Sequence, residues 1–300
     1  LKKPNIISYL LFPIMYFIKI ISFIYKKEKI RTDKIKTICV GNIYLGGTGK
    51  TPISIKVNKI ISNLNYSTVF IKKNYPDQID EQKILSSHGK LLCNKERTDA
   101  LKEAINEKIK VAIFDDGLQE RNIDYDLKIV CFKKNNWIGN GQLIPSGPLR
   151  EKVESLKNYD VVFLNGKNNS SVNIEETILK INSKIRIFNS NYEIKNLDKL
   201  DKNSNYFIFS GIGDPSSFKE ILIENNINVI KEKIFPDHYI YKKEDVKNIF
   251  EEAKKVNAKI LTTEKDFVKL SDDVTGEIDF LKIELKIEEE QKFINFLNDK

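Results

Sequence analysis

Apolar residues along this chain fall into short continuous runs separated by helix-spaced stretches, the pattern of a buried sheet wrapped by helices. The runs TICVG (37–41), STVFI (67–71), KVAIF (110–114), LKIVCF (127–132), VVFL (161–164) and RIF (186–188) read as strands. Ile53, Val57, Ile60, Ile61 and Leu64 recur at helical spacing after the first run, and Leu101, Ala104 and Ile105 mark a helix before the third. Such alternation predicts an α/β fold, a mostly parallel sheet with helices on both faces. The pattern lapses at 189–205, NSNYEIKNLDKLDKNSN, which reads as a linker with room for a short extended pair. It resumes with YFIFS (206–210), a helix from Pro215, a helix over 243–256, KILTT (259–263), DFLKIEL (279–285) and a closing helix. The expected organisation is an N-terminal segment 1–36, a larger domain 37–188, the linker, and a smaller C-terminal α/β domain 206–300.

The N-terminal segment is different in kind. Residues 6–25, IISYLLFPIMYFIKIISFIY, carry Lys19 as their only charge. About 20 apolar residues can span a bilayer, but Pro13 interrupts the middle and Lys19 lies deep inside. The reading adopted is a helix lying in the cytoplasmic membrane interface, with a true span or a buried core helix as alternatives. Lys26, Lys27, Lys29, Arg31, Lys34 and Lys36 follow as a basic collar suited to anionic lipid.

Composition narrows the partners. Lys and Arg number 50 against 42 Asp and Glu, a net charge of +8 that favours anionic ligands and lipid head groups. No basic strand interleaved with aromatics is present, so nucleic acid is not expected. Cys39, Cys93 and Cys131 are too scattered for a metal site or a disulfide framework, which fits a reducing compartment. The two histidines, His88 and His238, exclude an all-histidine metal cage. A monomer is expected.

The chemistry begins at GGTGKT (46–51), between a strand and a helix. Backbone amides of Gly46, Gly47, Thr48 and Gly49 can cradle nucleotide phosphates, Lys50 can reach the β- and γ-phosphates, and Thr51 can offer its hydroxyl to Mg²⁺. Pro52 falls in the first helical turn, where a missing N–H costs little. Tyr44 stands where the strict pattern has its first glycine. A second acidic point is KVAIFDDGLQ (110–119), a buried run ending in Asp115 and Asp116, either of which suits Mg²⁺. The Gly- and Pro-rich segment GNGQLIPSGPLRE (139–151) ends in Arg150, which suits phosphate, and Glu151, which suits Mg²⁺.

These blocks, with SGIGDP (210–215), FPDHY (235–239) and TEKD (263–266), resemble the tetraacyldisaccharide 4'-kinase family in identity and order. The resemblance implies transfer of the ATP γ-phosphate to the 4'-hydroxyl of a tetraacyldisaccharide 1-phosphate in lipid A biosynthesis. It implies a P-loop NTPase-like catalytic domain, a smaller C-terminal domain, ATP and Mg²⁺ as cofactors, and peripheral attachment to the bacterial inner membrane. Gln119 of the DDGLQ block joins the nucleotide side by the same resemblance. The family's Gly-Asp-Glu-Pro block aligns with Ile79, Asp80, Glu81 and Gln82, which makes Asp80 the general base and His238 its partner. The Ser-Arg-Gly-Tyr turn aligns with Lys72, Lys73, Asn74 and Tyr75, and Glu120 stands where histidine is usual. The alternative is a membrane-associated P-loop GTPase or ATPase regulator with water as acceptor. NGKN (165–168) lies where a guanine-reading motif could sit, but its spacing and last residue do not match.

Overall fold

The computed structural model describes residues 6–11, 13–14, 29–76, 78–167 and 173–300. Contacts divide the chain into two units: one takes residues 1–74, 88–191 and 285–300, the other 75–87 and 192–284. The first unit holds an eight-stranded sheet in the order β12-β7-β6-β5-β1-β4-β2-β3. Here β1 is Lys36–Gly41, β2 Thr68–Lys73, β3 Leu91–Asn94, β4 Val111–Asp115, β5 Leu127–Lys133, β6 Val161–Asn165, β7 Arg186–Ile194 and β12 Ile283–Ile287. The ladders from β3 through β7 are all parallel. Parallel strands covered on both faces explain the unbroken apolar runs: β4 and β6 are buried at every position.

Helices of this unit are α1 (Ile6–Leu10), α2 (Lys50–Asn63), α4 (Arg97–Asn106), α5 (Ile174–Ile181) and α10 (Glu290–Asn298); α3 (Ile79–His88) leads from the second unit back into the first. Core clusters form around Val130, Phe132 and Leu164, and around Val69, Ala112 and Phe114. The closing helix α10 belongs here: Phe293 is fully buried, with its ring 5.0 Å from those of both Phe163 and Phe188. Lys56 of α2 pairs with Glu290 at 2.8 Å. The last 16 residues therefore do not stay with the C-terminal domain expected over 206–300.

The second unit is a four-stranded parallel sheet ordered β11-β10-β8-β9, with β8 Asn205–Ser210, β9 Asn228–Ile234, β10 Lys259–Thr263 and β11 Ile278–Leu281. Helices α6 (Pro215–Glu224), α7 (Lys243–Lys255), α8 (Glu264–Phe267) and α9 (Asp272–Thr275) complete it. Phe218, Leu222 and Tyr206 pack in one cluster, Phe207, Phe209, Ile249 and Ala253 in another.

Three further expectations change. DFLKIEL, read as one strand, is broken at Lys282, so β11 and β12 join different sheets. Segment 189–205 is not a bare linker: β7 runs on to Ile194, and a 3-10 turn spans Leu197–Lys199. The second unit also reaches back to take residues 75–87, which the expected boundaries left in the first domain. Most of the apolar stretch 6–25 lies outside the described residues, as do Lys26 and Lys27 of the collar. Among the described residues no helix is long and apolar enough to cross a membrane.

Candidate functional site

In the first unit β1 ends at Gly41, and its continuation turns through Asn42 into the glycine loop and α2. Gly46 and Gly49 take φ of 112° and 88°, backbone that side chains disfavour, which is the local reason for glycine here. Asn42 braces the loop by donating to Thr48 Oγ1 at 2.9 Å and to the Gly46 carbonyl at 3.3 Å. Asn165 at the end of β6 donates to the Thr48 carbonyl. Gly49 caps α2, so Lys50 and Thr51 open the helix where unsatisfied amides and the helix dipole favour an anion.

Asp115 closes β4, which lies beside β1, and faces the same loop. Its fully buried carboxylate accepts from Ser54 at 2.8 Å, from Lys72 Nζ at 2.9 Å and from Thr51 Oγ1 at 3.4 Å. Asp116 takes φ of 55°, a left-handed conformation uncommon for a side-chain-bearing residue. Its carboxylate meets Arg150 Nη1 at 2.9 Å and Lys50 Nζ at 4.0 Å. Burial would raise its pKa, but Lys50, Arg150 and Lys72 together hold it below the usual carboxylate range.

The 139–151 loop arrives through backbone pairing rather than as a free surface loop. Leu45 N–H donates to the Pro148 carbonyl at 2.8 Å and Arg150 N–H to the Ile43 carbonyl at 2.7 Å. A Cβ on Gly147 would lie 2.5 Å from the Gln142 carbonyl, so only glycine closes this turn. Arg150 also donates to Gln119 Oε1 at 3.1 Å, and Gln119 Nε2 donates to Glu151 Oε1 at 2.8 Å and to the Asn42 carbonyl at 2.9 Å. Glu151 accepts from Tyr159 through its other oxygen at 2.8 Å.

In this unit, then, Lys50, Asp116, Arg150, Gln119 and Glu151 form one connected network beside the glycine loop, and Thr51 pairs with Asp115 next to it. Thr51 and Asp115 present hard oxygens to the same spot, which suits Mg²⁺; among the described residues no three His, Cys, Asp or Glu side chains converge, so phosphate oxygens and water would complete its shell. Glu151 stands apart from that pair, bonded to Gln119 and Tyr159. Sequence reasoning missed Ser54 and Arg97, and it named Lys72 only as part of an aligned turn, with no role beside Asp115. Arg97, at the start of α4, is buried and donates to the carbonyls of Asp116 at 2.8 Å and Asp115 at 3.4 Å. Its position gives no linear signal.

In the second unit Asp80 occupies the first turn of α3 and is 2% exposed, not the solvated loop acid its DQIDEQ setting suggests. His238 Nδ1 lies 3.1 and 3.2 Å from its two oxygens. His238 itself has φ of 59°, pinned by its N–H donating to the Gly211 carbonyl at 3.2 Å. Lys265 Nζ stands 3.5 Å from Asp80, 3.4 Å from Glu81 and 3.4 Å from Asp237. Asp266 ties the blocks together, accepting from Gly211 N–H at 3.0 Å, Thr263 Oγ1 at 2.7 Å and the Tyr241 hydroxyl at 2.9 Å. Lys265 and Asp266, both missed, belong to TEKD.

Burial alone would raise the Asp80 pKa, but the His238 hydrogen bond and the Lys265 charge hold it below its ordinary 3.8. His238 is raised above its ordinary 6.5, chiefly by the bond to Asp80 and against burial and Lys265. The carboxylate's contribution to stability is present above pH 3.8 and lost as pH falls through its lowered value. That of the imidazolium is present below pH 6.5 and lost as pH rises through its raised value. The pair therefore stabilises most between those two pH values. His238→Gln should lower Tm most within that window, and the gap to the parent should narrow on the alkaline side. A constant gap from about pH 5 to about pH 9 would show that charge plays no part in this contact.

A family model described as tetraacyldisaccharide-1-P 4'-kinase, LpxK, matches residues 7–300. A tetraacyldisaccharide 4'-kinase of Pelagibacter ubique is 49% identical over 296 residues, covering 99% of this chain and 94% of that protein. One from Rickettsia canadensis is 36% identical over 321 aligned residues, covering 100% and 94%. The crystal structure of LpxK from Aquifex aeolicus in complex with ATP has a TM-score of 0.71 at 23% identity, covering 98% of this chain and 99% of that one, and so shares the fold. With its family model spanning both units and relatives matching nearly end to end, this chain belongs to the tetraacyldisaccharide 4'-kinase family.

Proposed function

We propose that this protein transfers the γ-phosphate of ATP to the 4'-hydroxyl of a tetraacyldisaccharide 1-phosphate. The observation that carries the reading is a buried carboxylate held ionised, Asp80 against His238 and Lys265, in a chain that also has a phosphate loop. An alcohol acceptor needs a group to take its proton, and this pair supplies one with an orienting partner.

In the reaction the 4'-oxygen bonds to the γ-phosphorus as the bond from that phosphorus to the β–γ bridging oxygen breaks. ADP leaves with the electron pair, and the hydroxyl proton passes to Asp80. Loop amides and Lys50 hold the phosphates, and Arg150 offsets charge on the transferring group. Thr51 and Asp115 are the residues suited to hold Mg²⁺, which supplies charge neutralisation on the phosphate oxygens. Gln119 fixes Arg150 and Glu151 in place through the bonds described above.

The reading extends to location: a monomer at the cytoplasmic face of the bacterial inner membrane, with its lipid substrate drawn from that surface. Support comes from Ile6, Tyr9 and Leu10, all strongly exposed on α1, and from Lys29, Arg31, Lys34 and Lys36 of the collar. Incubation with γ-labelled ATP, Mg²⁺ and the tetraacyldisaccharide 1-phosphate should place label in the lipid. Release of inorganic phosphate at the same rate without lipid, and no labelled lipid, would instead identify water as the acceptor.

A further inference from the structure

Among the described residues Lys72 is the most deeply buried basic side chain. It is 1% exposed, at the end of β2, where strand pairing sets it beside Asp115 on β4. Its partner Asp115 is fully buried, and a buried carboxylate without a counter-charge is strongly disfavoured. A carboxylate has roughly four acceptor positions, of which Ser54, Lys72 and Thr51 occupy three. One of those three is a full positive charge on the very oxygen that faces Thr51.

That oxygen and the Thr51 hydroxyl are the pair suited to Mg²⁺. A divalent cation approaching them meets the fixed charge of Lys72 from one side. Lys50 and Arg150, which lie against Asp116, add to the positive field. With the nucleotide phosphates present the balance reverses, because several negative oxygens then share the space with these cations. Resting on the nucleotide reading above, we infer that Lys72 is the resident counterion of Asp115. It keeps the free protein from holding a divalent cation and admits one only together with nucleotide phosphates. Lys72 is thus a positioning residue, which sets when the metal enters.

Binding of Mn²⁺, followed by electron paramagnetic resonance with and without a non-hydrolysable ATP analogue, tests this. The parent should bind Mn²⁺ poorly alone and well with the analogue. Lys72→Met should bind Mn²⁺ alone at least about 10-fold more tightly than the parent, because Asp115 then lacks its counter-charge. Lys72→Arg should behave as the parent, and adding Asp115→Asn to Lys72→Met should abolish the gain. Equal Mn²⁺ affinity in Lys72→Met and the parent would overturn the inference, as would persistence of the gain without Asp115. Should Lys72→Met not fold, the parent alone decides: tight Mn²⁺ binding without the analogue overturns the idea. If the parent binds the analogue but binds Mn²⁺ equally well with and without it, only the inference falls. If it binds neither, the nucleotide reading falls with it.

Discussion

Asp80→Asn should leave ATP affinity unchanged and lower turnover by at least about 10²-fold, the range expected when a positioned base is lost. Asparagine keeps the size of the side chain and an acceptor for His238, so the first turn of α3 and the contact at 3.1 Å need not be lost. What disappears is the negative charge that Lys265 also faces at 3.5 Å and that the acceptor proton must join. The lowered pKa of Asp80 makes it a weak base at rest. A loose phosphoryl-transfer transition state asks little of the base until bond formation is advanced, so a carboxylate serves. His238→Gln should also slow turnover, through misplacement of Asp80, and the double variant should be no slower than Asp80→Asn alone, since the two act as a unit. Labelled lipid formed over time, beside equilibrium binding of ATP, measures both parts. Parent-like turnover in Asp80→Asn would remove it from the base role.

The glycine loop was legible in the sequence because its parts are contiguous and each follows from local backbone demands: φ above zero at Gly46 and Gly49, then a helix start. The buried strands were legible for a similar reason, since parallel strands covered on both sides are mostly apolar, with their buried polar residues such as Lys72, Asp115 and Asn165 near the strand ends. Two strands escaped. The edge strand β3 is only four residues long and half-covered, and β9 interrupts its apolar residues with Lys231, Glu232 and Lys233 because much of it faces water. DFLKIEL has the pattern of one strand, and nothing in its alternation states that Lys282 divides it between two sheets.

Site residues contributed by register rather than by motif were the hardest to see. Lys72 enters the site because β2 lies next to β4, and Arg97 because α4 begins below the DDG turn; neither is near the loop in sequence. Asp80 shows the limit of local composition. Among neighbouring Asp, Glu and Gln it reads as solvated, and only the resemblance singled it out, whereas His238 and Lys265 bury it from 158 and 185 positions away.

Lys50→Met should separate the two halves of the chemistry in the opposite sense to Asp80→Asn, losing nucleotide affinity together with rate. Lys50 follows Gly49 at the first position of α2, and its ammonium lies 4.0 Å from Asp116 Oδ1, the oxygen to which Arg150 donates at 2.9 Å. Without Lys50, Asp116 keeps Arg150 and Lys72 as positive neighbours, so the network around it should hold and the protein should fold. The phosphates, however, lose the one side chain placed at the helix entry to follow charge as it moves toward the leaving group. A fall of about 10²–10³ in kcat/KM for ATP is expected, comparable to removing one preorganised donor from a site of developing charge. Lys50→Arg should recover little, because a planar guanidinium does not place its charge as a compact ammonium does. A variant lacking this lysine that labels the glycolipid as fast as the parent would detach catalysis from the phosphate loop. Asp80 and His238 would then have to act on a phosphate held elsewhere.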